Sequence, residues 1–225
     1  MKVTWLGQAG LLFETSGKTI IVDPYLSDSV EKIEPQNKRN VAVDERFLKI
    51  KPDILLLTHN HIDHTDPETL CYYLSKDSEV TVLASGNAWQ NVRKTFGGVK
   101  NNYVQFNRGT QWTEGDLFFK AVYAEHSDDK AIGIIMKAEG KTYYITGDTL
   151  YNEQIFQDVQ ENIDYVFLPV NGRGNNMNFA DGARFCARLQ AKAIPIHCGL
   201  FDTLDMNAFP YENKTVPTFY KEIIL

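Results

Sequence analysis

Thr58-His59-Asn60-His61-Ile62-Asp63-His64 places three imidazoles and a carboxylate within six consecutive residues, directly after the apolar run Ile54-Leu55-Leu56-Leu57. A short, continuous apolar run of this kind forms a strand buried on both faces. A core strand is therefore expected to end in a cluster of side chains that suit zinc and similar divalent ions. A lone histidine there would read as a structural or solvent-facing residue; three with an aspartate read as a metal site.

The bulk composition of the 225-residue chain is that of an ordinary globular protein. Its apolar fraction of 43% supplies ample core, and its net charge of −6 argues against a general nucleic-acid binder, which carries a basic surface. No apolar run approaches the roughly 20 residues needed to cross a bilayer, and the opening residues 1–7 look too short in apolar character for a signal peptide. Cys71, Cys186 and Cys198 are odd in number and lack C-x-x-C spacing, which suits reduced thiols and a cytoplasmic location. No linker and no internal repeat stands out, so one domain over residues 1–225 is expected. A homo-oligomer is compatible with the sequence but is not specified by it.

Residues 2–6, 10–14 and 19–22 suggest an antiparallel meander, with Ser16-Gly17-Lys18 as a turn signal and Asp23-Pro24 ending the last strand. Asp23 fits a carboxylate behind the metal ligands as well as it fits a turn-initiating residue. Residues 27–45 are polar, lack periodicity and read as a long loop, either a lid or a mobile segment. Asp66-Pro67-Glu68 begins a helix reaching about residue 75, and a second helix spans 87–96, closed by Gly97-Gly98. Strands are expected at 80–84, 102–106 and 116–124, with a polar turn between the last two. A hairpin pairs 132–136 with 142–146 through Glu139-Gly140-Lys141. Residues 152–160 suit a short helix, 165–170 a strand, and Asn178 caps a helix to about Gln190. A last core strand, 193–196, leads into a loop-rich tail with a short helix near 205–208.

Only five histidines occur, and the two outside the cluster, His126 and His197, each end a strand-like run; Asp148 ends another. Strand ends gather at one rim of a layered α/β architecture, where sites are commonly built. Seven candidate ligands exceed the needs of one tetrahedral ion and fit two ions about 3.5–4 Å apart that share a carboxylate and a water-derived bridge. His59 and His61 alternate on an extended segment and can face one ion; Asp63 and His64, after a turn, can face another.

His59-x-His61-x-Asp63-His64, then His126, Gly147-Asp148-Thr149 and His197, resembles the complete ligand signature of the metallo-β-lactamase superfamily. The resemblance implies a four-layer αββα sandwich of two mixed β-sheets with helices outside and the metal site on one edge. It also implies that His59, His61 and His126 hold one ion, that Asp63, His64 and His197 hold the other, and that Asp148 bridges them. His126-Ser127-Asp128-Asp129, Leu168 to Arg173, and the Asn178 helix leading into Ala193-Ile194-Pro195-Ile196-His197 look like the branch of the L-ascorbate-6-phosphate lactonases. The chain departs from that branch after His197, where Cys198-Gly199-Leu200-Phe201 stands.

These readings lead to a hydrolase in which two divalent ions, zinc or manganese, convert a bridging water to hydroxide near neutral pH. The expected substrate is a small anionic ester or lactone, such as a sugar-phosphate lactone. Asp63 and Asp148 are the candidate catalytic carboxylates, Asp63 orienting the nucleophile or passing its proton. Asn171 and Arg173 are candidate substrate-binding residues, since guanidinium binds phosphate and carboxylate bidentately; Arg173 fits a solvated loop residue equally well. Competing readings are a phosphodiesterase or nuclease, a redox di-iron protein, disfavoured by a histidine at position 61, and a non-catalytic metal binder. No nucleic-acid or membrane partner is expected. Trp5, Trp89 and Trp112 read as packing residues, and Cys198, adjacent to a ligand on an extended segment, is expected to face away from the metals.

Overall fold

The structure is a computed structural model that describes residues 1–15, 17–97 and 100–225. Ser16 of the first turn signal and Gly98 of the Gly97-Gly98 helix stop lie outside the described residues.

The first half of the chain builds one six-stranded sheet in sequence order: β1 (Lys2–Gly7), β2 (Gly10–Thr15), β3 (Lys18–Val22), β4 (Ile54–Leu57), β5 (Thr81–Ala84) and β6 (Asn102–Gln105). The first three pair antiparallel, as the meander reading expects, and β3 to β6 run parallel. Parallel neighbours need crossovers, and α2 (Pro67–Tyr73) and α3 (Gly86–Phe96) supply two of them. Asp66 caps α2 by accepting from the N–H groups of Glu68 and Thr69, with Pro67 at the first helical position. α3 ends at Gly97 with φ of +44°, a left-handed C-cap.

The second half repeats the plan. β7 (Gln111–Glu114), β8 (Leu117–Tyr123), β9 (Ile132–Ala138) and β10 (Lys141–Ile145) pair antiparallel. β11 (Tyr165–Pro169) and β12 (Lys192–Ile196) then add in parallel, with α5 (Phe179–Leu189) between them. Asn178 caps α5 by accepting from Asp181 N–H. Gly182 inside this helix has a packing reason: a Cβ there would stand 2.9 Å from Val170 Cγ1 and 3.1 Å from Phe209 Cε2.

Side-chain alternation separates the layers. On the first sheet Ile20, Val22, Ile54, Leu56 and Leu83 join the main core, whereas Ile21, Leu55, Leu57, Val82 and Ala84 join a second cluster with Leu70, Tyr73, Ala88 and Val92 of the helices. β4 is thus buried on both faces, which its unbroken Ile-Leu-Leu-Leu run requires. Across the inner layer Phe13 of β2 meets Phe167 of β11 edge-on, ring centres 5.6 Å apart. The result is the αββα sandwich that the resemblance implies.

Three expectations need correction. Residues 27–45 are not loop throughout, because Ser29–Ile33 form the helix α1. This helix is only five residues long, so no hydrophobic period can announce it; tertiary contacts hold it. Residues 111–114 are the strand β7 rather than a turn, an edge strand whose Gln111 and Thr113 face solvent while Trp112 and Glu114 are half-buried. The helix expected over 152–160 shrinks to α4 (Ile155–Asp158), because Asn152 forms a side-chain turn to Gln154 N–H ahead of it.

Candidate metal centre and substrate cavity

Four strands deliver the candidate ligands to one rim. β4 leads to His59, β8 to His126, β10 to Asp148 and β12 to His197. Two special backbone positions shape the delivery. Gly147 has φ of +60°, and a Cβ there would stand 2.8 Å from Ile132 O and 3.0 Å from Thr58 Cβ. The residue before Asp148 must therefore lack a side chain for β10 to end against the histidine segment. His197 itself has φ of +67°, a conformation that turns its ring toward the other ligands directly after β12.

The seven candidate ligands lie together. The rings of His59 and His126 are 4.3 Å apart between centres, those of His61 and His126 4.7 Å, and those of His64 and His197 5.3 Å. His59, His61, His126 and Asp148 form one group able to hold a cation, and Asp63, His64 and His197 form another. Asp148 belongs to the first, yet its Oδ1 is 3.2 Å from His64 Nε2 and 3.5 Å from His197 Nε2 of the second.

The residues fit a cation on two counts. Among the described residues His59 Nε2, His126 Nε2 and Asp148 Oδ1 are buried without a well-aligned hydrogen-bond partner. Such orphaned groups are costly unless something else satisfies them. The spacing of the second group is equally telling. His64 Nε2 lies 3.3 Å from His197 Nε2, and Asp63 Oδ2 lies 3.4 Å from His197 Nε2 and 3.9 Å from His64 Nε2. Ligand atoms at about 2.0–2.1 Å from a tetrahedral zinc stand about 3.3–3.4 Å from one another, so the two separations to His197 have the spacing of a coordination shell and that between Asp63 and His64 is wider.

Supporting contacts orient the ligands. Buried Asp23 takes His64 Nδ1 at 2.9 Å on Oδ2 and accepts Thr58 N–H on Oδ1, which assigns it to the layer behind the ligands. Its φ of +40° shows that it also turns the chain after β3. Asp128 ties two ligand loops together, accepting Asn60 N–H while its own N–H donates to His126 Nδ1. Gln8 was missed by sequence reasoning: its Nε2 donates to Asp63 Oδ2 at 3.0 Å, and its backbone carbonyl accepts from His197 N–H and Trp5 Nε1–H. A single amide in a Gly-Gln-Ala-Gly turn carries no periodic signal, although its place just beyond β1 pointed to the same rim.

Charge in the site divides by partner. Burial, followed by His64, holds the pKa of His59 well below the ordinary histidine range, and burial brings His126 to about 4. Burial also works against charge on His64, but the carboxylates of Asp148, Asp63 and Asp23 outweigh it and raise that pKa well above the usual value. Asp148 and Asp63 likewise raise His197 against burial. Asp63 and Asp148 resist burial in turn: neighbouring His64 and His197 hold both below the normal carboxylate range.

A cavity of about 450 Å³ opens over this cluster. His61, Asp63, Asp148 and His197 lie at its base, and Asn171, Arg173, Asn175 and Asn176 form a polar wall. Asn171 does more than face the cavity, since its Nδ2 is 3.1 Å from His197 Nδ1. Arg173 has no side-chain hydrogen bond or ion pair among the described residues, whereas Arg46, Arg108, Arg184 and Arg188 are paired with carboxylates, Arg39 is bonded to backbone carbonyls and Arg93 lies over the Trp89 ring. A second, more open hollow of about 530 Å³ lies across Asn60 and His61, along the Asn87, Gln90, Asn91 and Lys94 face of α3. Cys198 is buried, with Sγ 3.6 Å from Ile196 O, and belongs to neither candidate group.

Comparison with known proteins agrees with this geometry. Residues 2–197 match the family described as the β-lactamase superfamily domain. The chain belongs to the metallo-β-lactamase superfamily. It is 31% identical over 223 residues to a UPF0173 metal-dependent hydrolase of Geobacillus sp. (strain WCH70), covering 91% of this chain and 88% of that protein. Its fold is shared with Igni18, a novel metallo hydrolase from the archaeon Ignicoccus hospitalis, at a TM-score of 0.75 and 20% identity, covering 99% of this chain and 97% of the other. It is also shared with an isothiocyanate hydrolase from Delia radicum gut bacteria, at a TM-score of 0.77 and 18% identity, covering 100% and 99%. The chain is accordingly a metal-dependent hydrolase of this superfamily. Among the described residues no helix is long and apolar enough to cross a membrane.

Proposed function

We propose that this hydrolase cleaves a small anionic ester or lactone with a pair of divalent ions, zinc or manganese. His59, His61 and His126 would hold one ion, Asp63, His64 and His197 the other, and Asp148 would contribute to both. The observation that carries this reading is the convergence of His64 Nε2, His197 Nε2, Asp63 Oδ2 and Asp148 Oδ1 at ligand-like spacings beneath an open cavity. Divalent ions bound there supply water made nucleophilic near neutral pH and a polarised substrate oxygen.

The chain's own groups do the remainder. Arg173 pairs with the anionic group of the substrate; its guanidinium, without a hydrogen bond or ion pair among the described residues, is available to do so. Asp63, at the cavity base and held in place by Gln8, accepts the proton of the attacking water and returns it to the departing oxygen. Water adds to the carbonyl carbon, the carbon–oxygen ester bond breaks, and the products are an alcohol and a carboxylic acid that releases its proton to solvent, joined in one molecule when the substrate is a lactone. Asn171 acts through His197, keeping its ring aimed at Asp63 and Asp148.

The test is a hydrolysis screen of lactones, carboxylic esters and phosphodiesters with zinc- and manganese-loaded protein. Ester or lactone turnover that is lost in Asp148→Ala and His61→Ala is expected. Undiminished turnover in both variants would overturn the reading, and cleavage of phosphodiesters alone would replace the substrate class.

A further inference from the structure

Besides the polar residues, the cavity lining has an apolar set made by Val30 and Ile33 of α1, Ile62 of the ligand segment and Phe201 beyond β12. Three observations set it apart. Its backing is a small apolar cluster of Tyr25, Val30 and Leu200, separate from the two cores of the sandwich, with Ile62 and Phe201 packed on it. The segment carrying it is fastened rather than loose. Arg39 donates to the carbonyls of Tyr25, Ser27 and Val41 and to the Tyr220 hydroxyl, while the Asn40 amide donates to Asp202 O and its backbone N–H to Leu200 O. Ile33 is 63% exposed at the cavity mouth, so folding alone leaves its apolar surface in water. Among the described residues Tyr72, Leu150, Leu204 and Ile224 are the other exposed large apolar side chains, and none of them lines this cavity.

We infer that the cavity takes a ligand with two unlike ends: an anionic group at Arg173 and a short hydrocarbon arm laid against Ile33, Ile62 and Phe201. Resting on the ester-hydrolase reading, this names the substrate class as an ester or lactone whose acyl part carries such an arm, not one built of hydroxyls throughout. The carboxylates of Glu34 and Asp202 also reach the cavity, but they are engaged, Glu34 with Asn37 and Asp202 with the N–H groups of Gly199 and Leu204. Neither offers a positive partner, which leaves Arg173 as the anion-binding side chain of this cavity. The fastening of residues 27–45 makes the apolar wall a preformed surface, so a ligand covers it without ordering a loop first.

Two measurements on the metal-loaded protein test the inference independently of turnover. The first is binding of linear carboxylates from acetate to octanoate by calorimetry. Affinity should rise about fourfold for each methylene that leaves water, until the wall is covered. In Ile33→Asn the rise should flatten, while Leu204→Asn, altered at an exposed apolar residue outside the cavity, should keep the full slope. The second is hydrolysis of p-nitrophenyl esters over the same chain lengths, where kcat/KM should follow the same trend. A flat binding series in the unaltered protein, or a slope that Ile33→Asn leaves intact, overturns the inference. A chain-length slope in binding with no hydrolysis of any ester leaves the inference standing and counts against the ester-hydrolase reading instead.

Discussion

The Asp23 carboxylate shows how much of the site depends on residues that never meet a substrate. It takes Nδ1 of His64 and the backbone of Thr58 at once, so it fixes both the ring and the strand end that carries the histidine pair. Replacing it, Asp23→Asn, should weaken metal affinity by roughly 10–100-fold, as loss of such outer partners does, with little change in substrate KM. Competition against a chelator measures the first effect and steady-state kinetics the second. Protonation gives a second prediction at this scale. The carboxylates raise the pKa of His64 and His197, so in metal-free protein both rings keep protons above the ordinary histidine range. A cation must expel those protons, and its affinity should climb as pH rises through and beyond neutrality. Calorimetric titration in two buffers of different ionisation enthalpy should show proton release. Equal heats in both buffers would contradict it.

At the scale of elements, the strand ends determine the site. Gly147 is the tightest point, since a side chain there meets Ile132 O at 2.8 Å in a left-handed backbone conformation. Gly147→Ala should cost about 2 kcal/mol or more and displace Asp148, which urea unfolding together with metal content would reveal. Asn178→Ala removes the cap of α5 and should cost about 1 kcal/mol without touching the metal ligands. The strands and ligands could be read from sequence because each is marked locally: Ile54 to Leu57 by an unbroken apolar run, and His126, Asp148 and His197 by standing where such runs stop. β7 and α1 carry no such mark. β7 exposes Gln111 and Thr113 along an edge, and α1 packs Val30 against Tyr25 and Leu200, with the Tyr25 hydroxyl accepting Val30 N–H. The contacts of Gln8 with Asp63 and of Arg39 with Tyr220 carry no such mark either, since each joins residues distant in sequence.

For the whole molecule, the two sheets are near repeats of one plan, antiparallel strands followed by parallel ones, and the candidate ligands come from both. The cluster His59, His61, Asp63 and His64 follows the first sheet, whereas His126, Asp148 and His197 follow the second. Each of the two proposed ions would draw ligands that follow both sheets and so clamp one sheet to the other, and removing the ions should lower the melting temperature by mass action. The measurement that bears most directly on the central claim is the divalent metal bound per chain after equilibrium dialysis against zinc or manganese, for the unaltered protein and for Asp148→Ala. About two ions per chain in the former and fewer in the latter are expected. No stable uptake by the unaltered protein, or uptake that Asp148→Ala leaves unchanged, would contradict the account.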